Sequence, residues 1–91
     1  MDVTYKDLLQ LIIQREMGII GVDKTIDVVK KAGLTLDNEG KLTTPNPNKA
    51  DLERLIQVFH DTYGPVTVMG CKIAVLRLAR QGNLELPKLL Q

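Results

Sequence analysis

The chain has 91 residues, of which 44% are hydrophobic and 25% are charged. This length suits a single domain over residues 1–91 with one modest core, and the composition lies far from that of disordered chains. A formal net charge of +1 excludes a strong whole-molecule attraction to nucleic acid or to anionic lipid. The charge is nevertheless uneven, because residues 1–63 carry eight Lys and Arg against ten Asp and Glu, whereas residues 64–91 carry four against one.

The sequence favours a cytoplasmic protein. Cys71 is the only cysteine, so an intramolecular disulfide is impossible and a reducing compartment is expected. Asp2, Lys6 and Asp7 interrupt the apolar segment that an N-terminal signal peptide requires. No apolar run approaches the roughly 18 residues of a membrane span, so we expect no membrane partner.

Two helices are predicted in the first third of the chain. Thr4 and Asp7 have the spacing of a capping box, and the wide apolar stripe that follows ends at the glycines of 18–21. Asp23 is the predicted N-cap of a second, shorter helix over 24–32. This helix contains two β-branched residues in a row, Val28 and Val29, which are poor helix formers.

A short β-hairpin is predicted after the second helix. Segments 34–36 and 41–43 flank the turn 37–40, in which Gly40 would supply the positive φ that closes a hairpin. Residues 84–86 alternate in the same way and are a candidate third strand.

Two further helices are predicted in the second half of the chain. Asn48 and Asp51 indicate a cap for a third helix over 49–62, whose apolar residues form one clear stripe. Pro65, which is tolerated in a first helical turn, begins a fourth helix over 65–81.

The fold class that follows is mainly α. We expect a single small domain of four helices, with the hairpin between helices two and three. A last helical turn is expected over 87–90.

The fourth helix is apolar on nearly every side. Val68, Cys71, Val75, Leu78 and Ala79 fall on one purely apolar face at about 100° per residue, and this face is the expected core side. A domain of this size seldom covers a second apolar face, so the opposite, mixed basic and apolar side is the predicted partner-binding surface. Its residues are Met69, Lys72, Ile73, Leu76, Arg77 and Arg80.

No catalytic, metal or cofactor site is predicted. His60 and Cys71 could be imagined as an imidazole and thiol pair, but Cys71 lies among apolar residues, where burial raises rather than lowers a thiol pKa. One His and one Cys cannot supply the four ligands of a structural zinc. The glycines match no phosphate-binding loop, so we expect no enzyme and no cofactor.

Two positions leave alternatives open. Glu16 projects in the direction of the apolar stripe of helix one, so it is either a buried acid of functional interest, or it pairs with a cation such as Arg77 or Arg80, or it reaches solvent where the helix frays. Gly70 and Ala74 form a strip of small residues that would accept helix one or helix three of the same chain, or a second copy.

These features predict a protein-interaction or regulatory module that acts through helix 65–81 without catalysis, with a protein partner or as a homodimer. The alternative is a DNA-binding transcriptional regulator that uses helices 49–62 and 65–81 as a helix-turn-helix-like pair. Acidic residues on the outer face of helix three, among them Glu53 and Asp61, would repel phosphate and make nucleic acid the less favoured partner.

Overall fold

The computed structural model describes residues 2–91. Four α-helices are present, as predicted, and a single 3₁₀ turn follows them. Their bounds are α1 Tyr5–Ile19, α2 Val22–Lys31, α3 Lys49–Tyr63 and α4 Pro65–Gln81, with the 3₁₀ turn at Lys88–Leu90.

Capping boxes begin α1 and α3, as the sequence predicts. At α1, the backbone N–H of Thr4 donates to Asp7 Oδ2 at 2.9 Å. At α3 the exchange is reciprocal: the Asn48 N–H donates to Asp51 Oδ2 at 2.8 Å, and the Asp51 N–H donates to Asn48 Oδ1 at 3.1 Å. Each pair satisfies backbone groups that a helix start otherwise leaves unpaired.

The predicted start of α2 at Lys24, with Asp23 as its N-cap, is wrong. The helix begins two residues earlier at Val22, and its N-cap is Gly21, whose φ of +99° is readily adopted only by glycine. The hydroxyl of Thr25 donates to the carbonyl of Gly21 at 2.8 Å, so the first turn is closed from within. Asp23 lies in that first turn, where its negative charge interacts favourably with the positive end of the helix dipole.

The predicted β-hairpin is also wrong, because residues 2–91 contain no strand and only one isolated bridge between Leu36 and Leu42. Two backbone bonds of a hairpin are present, from the Thr43 N–H to the Thr35 carbonyl at 2.9 Å and from the Asp37 N–H to the Lys41 carbonyl at 2.8 Å. Side chains accept the other two N–H groups that a longer ladder would need. The Thr35 N–H donates to Thr44 Oγ1 at 2.9 Å, and the Lys41 N–H donates to Asp37 Oδ1 at 2.9 Å. Two residues per side form too short a ribbon to compete with these bonds.

The candidate third strand over 84–86 is absent from the part of the chain that the structure describes. The Leu84 N–H donates to the carbonyl of Ala79, and the carbonyl of Glu85 accepts the Tyr5 hydroxyl at 2.8 Å. This segment therefore runs back over the helices instead of pairing with another strand.

The core lies between all four helices. It is centred on Phe59 and on aliphatic residues of α1 and α3. The segment between α2 and α3 and the segment after α4 also contribute leucines to it. Its fully buried large apolar side chains include Leu8, Leu9, Ile12, Ile13, Val28, Val29, Leu52, Leu55, Ile56, Phe59, Val75 and Leu90.

α1 and α4 pack side by side and run in opposite directions. A methyl group at Gly82, after the end of α4, would lie 2.6 Å from Cβ of Val3, whereas one at Gly70 would lie 2.8 Å from Nη1 of Arg15. α4 thus begins near the end of α1. Its other neighbour, α3, is joined to it by Gly64 alone, which has a φ of +89°.

Candidate protein-binding surface

α4 presents one face to the core and the other to solvent. Val68, Cys71, Val75 and Ala79 are buried, as the helical projection predicts. Leu78 is only half-buried, because it lies at the edge of the helix and lines a groove towards α1. The expectation that α4 has two different sides therefore holds in the structure.

Three large aliphatic side chains on the solvent side of α4 are exposed. Val66 is 81% exposed, Met69 is 62% exposed and Ile73 is 71% exposed. They follow each other at spacings of three and four residues, so they form one stripe on the first half of the helix. Val66 is absent from the predicted set, although its position seven residues before Ile73 indicates the same side.

Two arginines continue this stripe towards the end of α4, and a lysine lies at its flank. Arg77 and Arg80 are exposed, and Lys72 is half-buried beside them. Within residues 2–91 none of the three forms an ion pair, and α4 itself contains no acidic residue. The result is a surface whose first half is apolar and whose second half is positively charged. We name it the α4 outer surface: Val66, Met69, Lys72, Ile73, Leu76, Arg77 and Arg80.

Two grooves lie along the α4 outer surface. The first is shallow and is lined by Ile73, Leu76, Arg77, Arg80 and Gln81. The second lies between α4 and the segment that follows it, and its lining is Lys72, Leu76, Ala79, Arg80, Leu84, Leu86, Leu90 and Gln91.

Leu76 and Arg80 line both grooves. Of the predicted partner-binding residues, the structure therefore brings Lys72, Ile73, Leu76, Arg77 and Arg80 together. Met69 lies outside both grooves, in the exposed aliphatic stripe on the first half of α4.

The core side of α4 packs against Glu16 of α1, the acid whose environment the sequence did not determine. Glu16 is 1% exposed, and its Oε1 accepts a hydrogen bond from the Cys71 thiol at 3.4 Å. The cation beside it is Arg15, with Nη1 at 3.5 Å from the same oxygen, and neither Arg77 nor Arg80 pairs with it. Arg15 reaches this position across Gly70, so the strip of small residues serves α1 of the same chain.

Cys71 is a protonated thiol in this environment. Burial, followed by the negative charge of Glu16 and the hydrogen bond to it, raises the pKa of Cys71 to about 12. Because the thiolate is the nucleophile, this group is unreactive near neutral pH.

His60 and Cys71 have different partners. Nδ1 of His60 lies 3.5 Å from Oδ1 of Asp61 on the exposed side of α3, whereas the Cys71 thiol donates to Glu16. Among the described side chains, no group of three His, Cys, Asp or Glu residues is arranged to hold a metal ion.

No helix in the described range 2–91 combines the length and the apolar character needed to cross a bilayer. No known protein family, curated protein or solved structure matches this chain.

Proposed function

We propose that this protein is a small protein-binding module whose α4 outer surface binds another protein chain. The observation that carries the proposal is the exposure of Val66, Met69 and Ile73 on one side of a helix whose other side forms part of the core. Neighbouring exposed aliphatic side chains are typical of interaction surfaces. Methionine, which lies within this stripe, and arginine, which follows it along α4, are enriched in protein interfaces.

The grooves beside Leu76 support the same proposal. They offer depressions in which side chains of a partner can be buried, with Lys72 and Arg80 at the rim. An apolar centre surrounded by a polar rim is the usual arrangement of a protein interface. With one cysteine and no intramolecular disulfide, the cytoplasm is the proposed location.

Photo-crosslinking at single positions tests this function. A photoreactive amino acid at position 73 or 69, in cells of the source organism, is expected to give a discrete crosslinked product. The same amino acid in place of Glu53, which is exposed on α3, is the matched control. Absence of a product at both α4 positions would refute the proposal.

The mass of the product distinguishes the two kinds of protein partner. A product twice the 10.1 kDa of the chain identifies a homodimer, and any other mass identifies a different protein.

DNA binding is the competing function, and a salt series separates it from protein binding. Phosphate contacts would make the logarithm of affinity for a duplex fall steeply as the logarithm of salt concentration rises. We expect no such binding, because Ile73 and Leu76 separate Lys72 from the arginines and Gln81 is the only amide side chain on α4. A steep salt dependence that Arg77→Glu abolishes would contradict the proposal.

A further inference from the structure

We infer that the partner of the α4 outer surface is an acidic amphipathic helix, with apolar side chains at one end of its binding stripe and carboxylates at the other. This inference rests on the proposed function and adds the chemistry of the partner. It follows from the order of charges and aliphatic groups along α4, from the lining of the second groove and from the poor fit of a second copy.

The α4 outer surface is divided along its length. From Val66 to Arg80 it extends about 21 Å, at about 1.5 Å per residue. The exposed aliphatic stripe ends at Ile73, and the cations Arg77 and Arg80 follow one and two turns later. A partner helix that lies along this stripe must place apolar groups against the first half and negatively charged groups against the second.

The second groove has the same requirement across its width. Its floor is apolar and includes Ala79, Leu86 and Leu90, whereas Lys72 and Arg80 lie on the α4 side. An apolar side chain in this groove would place its neighbours on the partner helix next to the two cations. Carboxylates at those neighbouring positions would match the charges, and lysines would be repelled.

The surroundings supply no competing acid on the α4 outer surface itself. On the α1 side, Asp2 and Asp7 line a neighbouring groove with Leu78 and Gln81, and Gln81 also lines the first groove. Neither forms an ion pair with Arg77 or Arg80 among residues 2–91. Both arginines are therefore available to carboxylates of a partner.

A second copy of the chain fits this surface less well. Parallel pairing of two α4 helices would place Arg77 and Arg80 opposite the same residues of the other copy. Antiparallel pairing centred on Ile73 would place Val66 opposite Arg80, so that an apolar group meets a charge. The acidic helix avoids both conflicts.

Three labelled synthetic peptides test the inference by fluorescence anisotropy. Each is a helix of about 18 residues with leucines spaced to lie on one face. The first has glutamates beyond the leucines, the second has glutamines at those positions, and the third has lysines. We expect the glutamate peptide to bind at least about tenfold more tightly than the glutamine peptide, because several exposed ion pairs act together.

Charge reversal provides the decisive arm. The double variant Arg77→Glu and Arg80→Glu is expected to reverse the order, so that the lysine peptide binds best. The control is the double variant Lys24→Glu and Lys30→Glu, which has the same net charge but changes exposed residues of α2, and it should keep the original order. Circular dichroism verifies that each variant is folded.

The outcomes separate the inference from the proposed function. Equal binding of the glutamate and glutamine peptides, or no reversal in the double variant, overturns the acidic partner. Failure of all three peptides to bind overturns it as well. In each case a crosslinked product at position 73 would leave the protein-binding function standing, and its absence would refute that function independently.

Discussion

The Cys71 thiol donates to Oε1 of Glu16 at 3.4 Å in a site that excludes solvent from both side chains. The other carboxylate oxygen, Oε2, has no hydrogen-bond partner within the described residues 2–91. This pair joins the middle of α4 to the last part of α1. Its effect on stability can be measured through the titration of Cys71.

The titration of Cys71 is expected to lower stability at high pH. The folded-state pKa of about 12 lies above the ordinary value of 9.0. Below pH 9 both the folded and the unfolded chain hold the proton, so the contribution of the thiol to stability is constant. Between pH 9 and 12 the unfolded chain releases the proton and the folded chain retains it, so the free energy of unfolding falls as pH rises.

Urea unfolding of the wild type and of Cys71→Ala across this range measures the effect. Other groups titrate in the same range, so the difference between the two proteins isolates the thiol. A wild type whose stability changes in parallel with that of Cys71→Ala between pH 9 and 12 would show that the pKa of Cys71 is not raised.

Replacing Glu16 by methionine is expected to raise the free energy of unfolding by about 1 kcal/mol. Proteins in which an apolar side chain replaces a poorly paired buried charge are commonly as stable as the original or more stable. The acid has a weak thiol donor, a guanidinium at 3.5 Å and one unpaired oxygen. Urea denaturation measures the change. Glu53→Met, at an exposed position of α3, is the control and should stay within about 0.5 kcal/mol of the wild type. A loss of stability in Glu16→Met would mean that the ion pair with Arg15 stabilises the fold.

The two sides of α4 should respond differently to truncation. Val75→Ala removes two buried methyl groups from the core side and is expected to cost about 2 kcal/mol. Ile73→Ala is the matched change on the solvent side and is expected to alter the free energy of unfolding by less than about 0.5 kcal/mol, while it weakens crosslinking or peptide binding. Equal losses of stability in thermal or urea unfolding would mean that the α4 outer surface is covered in solution.

Two glycines next to α1 should tolerate alanine unequally. At Gly70 the new methyl group would meet only the end of the flexible Arg15 side chain, at 2.8 Å from Nη1, so the better helix propensity of alanine should leave stability unchanged or raise it by up to about 1 kcal/mol. At Gly82 it would lie 2.6 Å from Cβ of Val3 and 3.1 Å from the carbonyl oxygen of Val3. Main-chain movement is then required, and we expect a loss of about 1–3 kcal/mol.

Differential scanning calorimetry of the two glycine variants compares them directly. Equal destabilisation by both substitutions would show that Arg15 is held in place as firmly as the backbone of Val3.

Local sequence signals predicted the helices well. Thr4 with Asp7 and Asn48 with Asp51 fix the starts of α1 and α3, because the capping groups are within three residues of each other. Pro65 likewise marks the first position of α4. Each of these signals acts over one helical turn and needs no knowledge of the tertiary fold.

Features that depend on distant residues could not be predicted in the same way. Gln10 of α1 accepts the N–H of Leu42, and this bond between residues far apart in the chain attaches the segment 34–44 to α1. The hairpin itself failed for a local reason, because the side chains of Thr44 and Asp37 accept the N–H groups of Thr35 and Lys41. The partner of Glu16 was open because Cys71 approaches it only through the packing of α1 on α4. Val66 was missed, although it lies seven residues before Ile73 and is 81% exposed in the first turn of α4.

The groove between α4 and the segment after it is built from two parts, a helix and an irregular stretch of chain. Leu84, Leu86 and Leu90 of that segment form one side, and the segment is held to the helices by Tyr5 and Lys49 through Glu85. Leu86 and Leu90 of the segment are also buried in the core, so the segment separates from the helices only when these contacts are lost as well. A ligand in the groove would hold the segment against α4. By the same factor, the closed position of the segment would strengthen binding of the ligand. Changes at Tyr5 or Lys49 would therefore alter affinity without touching the ligand, through the fraction of molecules in which the groove exists.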